Sequence, residues 1–444
     1  MNDNLANPTD WNKKTLGEIS ILITDGAHFS PIPQTHGELI ANVKDMKSNH
    51  IDFDSCTRIF PKDFESLFRQ NCSPRKNDIL LSKDGTIGKV ILFNDERKIV
   101  VLSSIAIIRL VTEVSCDYVK HVLRSFLFDK QLYALQSGSA LGRIVLSDIR
   151  KLEVPLPPLL HQRKIAKILT TVDNLIEQTQ ALIDKYTAIK QGMMADLFTR
   201  GIDLSGTPET NPNHGQLRPS FEEAPELYKE TELGWVPKEW KVVTMSSVLE
   251  SICDGPFGSN LKTEHYVEDA GVRVVRLQNI AKYRYNDLDK AFISEEHSNF
   301  LSRNKVLPGD VLIAGLGDDS YPVGRACCYP ENLAPAVNKA DCFRARCNST
   351  SMINFFLMLF LNTELARKQI RRFEQGVTRP RINTGNFKKL AICCPSIAEQ
   401  KSIIQKLAVT QNFLEIEESL LRKLDFQKKG LMQDLLTGKV QVTA

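Results

Sequence analysis

No Cys-x-x-Cys pair occurs anywhere in this chain, although it carries ten cysteines. That absence argues against a zinc site or a thioredoxin-like motif. Reduced thiols packed in cores are expected instead, as where Cys393 and Cys394 follow Leu390, Ala391 and Ile392 like the end of a strand. The most apolar run, Phe355 to Leu361, falls far short of the ~20 residues of a membrane span, so it reads as a buried helix and no membrane role is expected. There is no His-Glu-x-x-His and no nucleophile elbow. No Asn-Pro-Pro-Tyr or Asp-Pro-Pro-Tyr is present to hold a flipped adenine for methylation. Gly85 to Lys89 has the look of a phosphate loop, but it lacks the full spacing and has Val90 where a magnesium-binding hydroxyl is needed. The segment Met1 to Trp11 lacks the basic-then-apolar order of a secretion signal, so a cytoplasmic protein is expected. Catalysis and cofactors are expected to come from partners, with none of its own.

What is present fits a globular protein of two or three domains: 444 residues, 42% hydrophobic and 25% charged. The net charge of +4 is too small to identify a nucleic-acid partner, so its distribution carries more information. Between Val236 and Cys394 there are 22 Lys and Arg against 17 Asp and Glu, whereas Asp203 to Trp235 holds two basic and seven acidic residues. An acidic linker beside a basic module is the expected reading.

The second half restates the first with a period near 238 residues. Gln162, Ile165, Leu169, Asn174, Glu177, Leu182, Lys185, Lys190, Gly192, Met194, Asp196, Leu197 and Thr199 each meet the same residue type 238 positions later, from Gln400 to Thr437. Upstream, Trp11 and Trp240 each precede an Asp-Gly, at Asp25-Gly26 and Asp254-Gly255. Asn77-Asp78-Ile79-Leu80-Leu81 matches Gly309-Asp310-Val311-Leu312-Ile313, an acidic turn residue before a β-prone run. The period is too long for a solenoid and implies two domain-sized copies with a pseudo-twofold relation.

Each copy ends in a helical tail. In the first, Ile165, Ile168, Val172, Leu175, Leu182, Tyr186, Ile189 and Met193 follow heptad steps interrupted at Thr179. In the second, Ile403, Leu407, Leu414, Leu421, Leu424, Leu431 and Leu435 form a comparable stripe, weakened by Thr410 and Glu417. So long a helix cannot bury its own stripe, and the other tail is the nearest partner of equal length. Antiparallel pairing is expected.

Each module closes on a polar loop with glycine and arginine. Ser137, Ser139 and Arg143 lie in the first, Thr378, Arg379 and Arg381 in the second, and Arg143 aligns with Arg381 at the same period. Arginine on a rigid loop suits bidentate reading of guanine or a phosphate clamp. Lys368, Arg371 and Arg372 on a preceding helix add capacity for phosphate contacts. Lys83, Thr86 and Lys89 in the first module, and Ser259, Asn260, Arg276, Gln278 and Asn279 in the second, sit where strands give way to loops; Asn and Gln suit adenine.

Pro155-Leu156-Pro157-Pro158-Leu159-Leu160-His161-Gln162, leading into the first long helix, resembles the Pro-Leu-Pro-Pro-Leu-x-Glu-Gln signature of type I restriction-modification specificity subunits. Its echo is Cys393-Cys394-Pro395-Ser396-Ile397-Ala398-Glu399-Gln400, and Leu233 to Trp240 resembles the usual opening of that family's second target-recognition domain. His161 replaces a signature glutamate and Cys393 and Cys394 replace two prolines, at positions expected to shape a turn rather than touch DNA. The resemblance implies an α+β fold: two mixed α/β target-recognition domains related by pseudo-twofold symmetry and separated by a long antiparallel two-helix coiled coil. The expected division is residues 1–156 and 236–394 for the recognition domains, 157–202 and 395–444 for the spacer helices, and 203–235 for the acidic linker. It further implies double-stranded DNA read at two half-sites, with two S-adenosylmethionine-dependent modification subunits and ATP-driven restriction subunits as partners. The polar helix faces, carrying Lys164, Lys167, Lys185, Lys190, Arg422, Lys423, Lys428 and Lys429, are the expected docking surface. A non-catalytic coiled-coil scaffold whose basic modules bind protein is the rival reading.

Overall fold

The strand Ile79–Ser82 is buried along its whole length, as its unbroken apolar run requires. In a computed structural model describing residues 11–136, 143–268 and 271–442, it lies inside a four-stranded antiparallel sheet ordered Ser20–Asp25, Ile105–Leu110, Ile79–Ser82, Val90–Leu92. A second sheet sets Glu38–Ala41 between Thr57–Ile59 and Val100–Val101, the latter pairing parallel. A third pairs Asn12–Thr15 with Glu153–Leu156.

The other copy repeats this plan. Its four-stranded sheet runs Leu249–Cys253, Cys342–Cys347, Val311–Ala314, Ala326–Cys328. Its second sheet again holds one parallel pair, Val272–Val275 with Ala336–Asn338, and Lys241–Thr244 again pairs with the last strand, Ala391–Cys394. The sequence repeat is therefore a repeat of topology. Equivalent atoms pin both sheets: Asp78 accepts two bonds from the Arg109 guanidinium (2.9 and 2.7 Å), and Asp310 two from Arg346 (2.6 and 2.9 Å). Each carboxylate also accepts the N–H that opens its own turn, from Arg75 or Leu307. Such forked, charge-assisted pairs fix orientation as well as charge. The two Asp-Gly steps are explained by close backbone approach, since a Cβ at Gly26 would lie 1.8 Å from the Val101 carbonyl oxygen and one at Gly255 1.9 Å from the Lys339 carbonyl carbon.

The two tails are single helices, Leu159–Thr199 and Ile397–Leu436. The chain divides into two compact units, one of residues up to Leu182 with those from Glu417 onward, the other Ile183–Ile416. Each helix is thus shared between units rather than standing as a separate domain. In the first unit, Ile165, Ala166 and Leu169 from the start of one helix enter the module core with Met432, Leu435 and Leu436 from the end of the other. In the second, Met194, Leu197 and Phe198 join Ile403 and Leu407 in the same way. Antiparallel pairing is visible inside each unit: Lys428 meets Asp173 at 2.7 Å in the first, while Tyr186 stacks on Phe413 and Lys190 donates to Gln411 (2.6 Å) in the second.

The expected stripe of the second helix coincides with its buried and half-buried face, Thr410 and Glu417 included. That of the first is half corrected. Ile165, Val172, Tyr186 and Met193 face inward, but Ile168, Leu175, Leu182 and Ile189 are 37–44% exposed. Their C-terminal neighbours Leu169, Ile176, Ile183 and Lys190 hold the seam, with buried Thr179 between. At the first three of these steps two apolar candidates stand side by side, and a period of 3.5 admits only one; at the fourth the seam takes Lys190 over Ile189.

The acidic segment folds back rather than spanning open solvent. Tyr228–Thr231 and Gly234–Pro237 form a hairpin, Phe221 stacks on Trp235, and buried Arg218 pairs with Glu399. Glu399 also accepts the Ile202 N–H (2.8 Å) and the Trp240 indole N–H (3.0 Å), so this signature glutamate ties the segment to the start of the second helix.

The signature glutamine does one job twice. Gln162 accepts the Ser115 N–H (3.0 Å) and donates to the Pro157 carbonyl (2.8 Å); Gln400 accepts the Ile353 N–H (2.9 Å) and donates to the Pro395 carbonyl (3.0 Å). Both are nearly fully buried, so each helix start is locked to its module. Gln400→Leu leaves a buried N–H without an acceptor and is expected to cost ~1–3 kcal/mol, read as a lower urea midpoint of tryptophan fluorescence. Gln178→Ala on the exposed face is expected to move it by less than ~0.5 kcal/mol.

Candidate nucleic-acid interface

In each module the central strand of the sheet that holds the parallel pair, three-stranded in the first module and five-stranded in the second, runs into one short, capped turn. After Glu38–Ala41, the turn Val43–Asp45 is closed by the Asn42 N–H donating to Asp45 Oδ2 (2.8 Å). After Val272–Val275, the turn Leu277–Asn279 is closed by the Arg276 N–H donating to Asn279 Oδ1 (2.8 Å). Asp45 and Asn279 are wholly buried and spend their remaining capacity inside the protein: Asp45 accepts from Ser55 Oγ, and Asn279 Nδ2 donates to the Asn286 and Asp289 carbonyls. Asn279 therefore shapes the turn, and an adenine-reading role is not available to it. Arg276 is held to Asp289, which leaves Gln278 as the exposed side chain of this group.

A glycine-bearing loop connects an inner strand of the four-stranded sheet to the edge strand beside it, Ile79–Ser82 to Val90–Leu92 or Val311–Ala314 to Ala326–Cys328, and lies against this turn. In the first module Lys89 Nζ donates to the Met46 carbonyl at the end of the turn (3.2 Å). In the second, buried Arg325 donates to the equivalent Ile280 carbonyl (2.8 Å), to Leu277, and to the loop carbonyls of Leu316, Tyr321 and Pro322. Lys89 is thus a structural tie, matched by an arginine that sequence reading passed over. Lys83 departs further from expectation, with its side chain 2% exposed and its ammonium 3.0 Å from Asp25 Oδ2. A buried cation facing a carboxylate cannot also reach a phosphate, so Lys83 belongs to the scaffold. Thr86, by contrast, is exposed and shares a cleft of about 360 Å³ with Asn42, Lys44, Asp84 and Lys89.

The aligned arginines occupy equivalent places. Arg143 bridges Asp84 and the Ile144 N–H donates to the Lys83 carbonyl (2.8 Å), while Arg381 bridges Leu316 and the Ile382 N–H donates to the Gly315 carbonyl (2.9 Å). Both stand beside the glycine loop on the exposed side. The Arg381 guanidinium meets Asp341 and is still 49% exposed. Thr378 and Arg379 are exposed, as are Lys368 and Arg372 on the helix Glu364–Phe373; Arg371 pairs with Glu364. Asn260 is exposed and its carbonyl accepts from His297, and Ser259 falls in the short turn Gly258–Asn260. Ser137 and Ser139 lie outside the described residues. The structure so gathers the turn, the glycine loop and the arginine bridge at one place in each module. Lys44, exposed in the cleft with Thr86, and Lys47, exposed just beyond the turn, were missed because nothing in their local sequence marks a turn.

No group of three or more His, Cys, Asp or Glu that could hold a metal occurs among the described residues. Thiols sit in cores, and burial pushes those of Cys393 and Cys347 up to about 12. Such cysteines are packing residues rather than nucleophiles. No described helix is long and apolar enough to cross a membrane.

Comparison with known proteins agrees with the duplicated plan. The model of the family described as type I restriction modification DNA specificity domain matches twice, at residues 8–186 and 237–425. The chain is 26% identical over 384 residues to the type I restriction enzyme MjaVIII specificity subunit of Methanocaldococcus jannaschii, covering 85% of this chain and 83% of that protein. It is 24% identical to the putative type I restriction enzyme MjaX specificity subunit of the same organism, over 98% and 95% of the two chains. Its fold is similar to the type I restriction-modification S subunit from M. genitalium, with TM-score 0.60, 16% identity and 97% coverage of both.

Two substitutions separate scaffold from surface. Lys83→Ala leaves buried Asp25 with only the His28 ring (3.0 Å) as partner and is expected to cost ~2–3 kcal/mol, whereas Thr86→Ala stays within ~0.5 kcal/mol, both from urea denaturation. Asp254 is the counterpart of Asp25, but Gly315 stands where the first module has Lys83. Burial pushes its carboxyl up to about 6, opposed by the Gly255 N–H and reinforced by Asp341. With the unfolded value near 3.9, the native state holds the extra proton between about pH 4 and 6, and stability falls as pH rises through 6. Asp254→Asn is expected to be more stable than the unsubstituted protein at pH 7.5, by on the order of 1 kcal/mol after solvent screening of this partly exposed carboxyl, with the difference vanishing at pH 4.

Proposed function

The chain belongs to the type I restriction modification DNA specificity family, and on that premise we propose that each of its two modules reads one half of a bipartite, asymmetric target in double-stranded DNA. Its role is that of a specificity subunit and not of a catalyst. The observation that carries the reading is the pair of equivalent surfaces, one turn, one glycine loop and one arginine bridge in each module, furnished with different side chains. Two copies of one scaffold with different surfaces suit two different half-sites.

In this reading Arg143, Arg379 and Arg381 contact guanines or phosphates, and Thr86, Ser259, Asn260, Gln278 and Thr378 complete the contacts, with Ser137 and Ser139 in the loop before Arg143. Lys368 and Arg372 hold the backbone in register, since phosphate contacts position while base contacts specify. Residues 1–156 and 236–394 form the recognition domains, and the tails from 157 and 395 carry the spacing. Two modification subunits dock on the helices, where Ile168, Leu175, Leu182 and Ile189 recur every seven residues and stay 37–44% exposed. Restriction subunits join that core. A heptad-spaced apolar row left outside the seam is a surface of the kind partners cover.

Sequencing of methylated adenines in a host carrying this chain and its modification partner is expected to return two short half-sites separated by a fixed gap. A contiguous motif, or none, overturns the reading. Deleting one heptad at matched positions of both helices shortens each by ~10 Å, about three base pairs at ~3.4 Å. The gap is then expected to shrink with both half-sites retained; altered half-sites at an unchanged gap would reject the spacer role.

A further inference from the structure

We propose that Lys44 and Gln278 are the corresponding base-reading positions of the two modules, Lys44 meeting a guanine of one half-site and Gln278 an adenine of the other. This rests on the specificity reading above and goes beyond it by assigning one address in the duplicated scaffold and the base each occupant selects.

The address follows from equivalence. The capped turns Val43–Asp45 and Leu277–Asn279 follow the same strand, close with the same bond from the residue before the turn to its third residue, and are tied at the same following carbonyl, Met46 or Ile280, by Lys89 or Arg325. Each turn is therefore fixed at both ends. Within it, all side chains but one are committed. Val43, Asp45 and Met46 are buried, as are Asn279 and Ile280. Asn42 Oδ1 accepts from the Val43 N–H (2.6 Å) and from Ser104 Oγ (3.2 Å), and Arg276 is paired with Asp289. Just beyond the first turn, Lys47 is paired with Asp52 at 3.3 Å. Lys44 and Gln278 remain, both exposed, both at the second position of the turn.

Their surroundings fit a reading role. Lys44 lines the cleft that contains Asp84, Gly85 and Thr86, next to the Arg143 bridge. Gln278 follows Leu277, whose carbonyl shares the Arg325 guanidinium with Leu316, the residue bridged to Arg381. A solvated loop residue needs no rigid mounting, whereas a side chain that discriminates bases must be held within a few tenths of an ångström of its target. The chemistry of the occupants sets the bases: lysine donates to guanine O6 and N7, and glutamine pairs bidentately with adenine N6 and N7.

The test uses the full chain with its modification partner and reads the methylated motif of the unsubstituted protein, Lys44→Gln and Gln278→Lys. Lys44→Gln is expected to replace a guanine-containing pair by an adenine-containing one at one position of one half-site, with methylation of the original site reduced about tenfold or more. Gln278→Lys is expected to make the reverse change in the opposite half-site. The untouched half-site and gap serve as the internal control for folding. If the unsubstituted motif is bipartite but both substitutions leave both half-sites unchanged, alter the same half-site, or weaken all sites uniformly as a phosphate contact would, the assignment is overturned alone. If the unsubstituted complex methylates no two-part motif, the specificity reading fails and takes the assignment with it.

Discussion

A helix of forty residues with a single apolar seam is not stable alone in water, and in this chain its burial requires the other helix. Each unit meets that requirement by taking the beginning of one helix and the end of the other into the same core. Module and spacer are therefore not separable parts joined by a hinge. The glutamines that open the helices and the carboxylate of Glu399 extend the same locking into hydrogen bonds, in places where water is excluded. Low dielectric makes such satisfied networks rigid, and makes an incomplete one costly.

The duplicated scaffold shows where variation is tolerated. The forked Asp78–Arg109 and Asp310–Arg346 pairs, the two Asp-Gly approaches and the two capped turns are retained because each fixes backbone geometry from inside the module. Positions that point outward from them differ between copies: Lys44 against Gln278, Thr86 against the longer loop before Arg325. One buried difference, Lys83 against Gly315, leaves Asp254 without the cation that Asp25 enjoys, and its carboxyl titrates accordingly.

The repeat, the two long helices and the family were legible because they are written in one-dimensional signals: a fixed offset, a heptad and a proline-rich entry to a helix. The seam of the first helix was half legible, since doublets such as Ile168-Leu169 and Leu175-Ile176 offer two apolar neighbours and only the partner helix chooses between them. At the interface, sequence reading found the arginines and the glycine loop but took Lys83, Lys89 and Asn279 for surface. A lysine beside a glycine looks the same in sequence whether its ammonium meets solvent, a carboxylate or a carbonyl. Lys44 carried no local signal at all; its place is visible only when the two turns are compared in three dimensions.

The make-up of the first module's core also has a consequence for biosynthesis. Its wall of Met432, Leu435 and Leu436 leaves the ribosome about 260 residues after Leu169, which at ~5–20 residues per second means an interval on the order of 10–50 s. Throughout that interval the nascent amino-terminal half carries an uncovered apolar face, while the half made later finds its helical partner already translated. Vectorial synthesis thus makes two nearly equivalent domains unequal clients of the cell's chaperones.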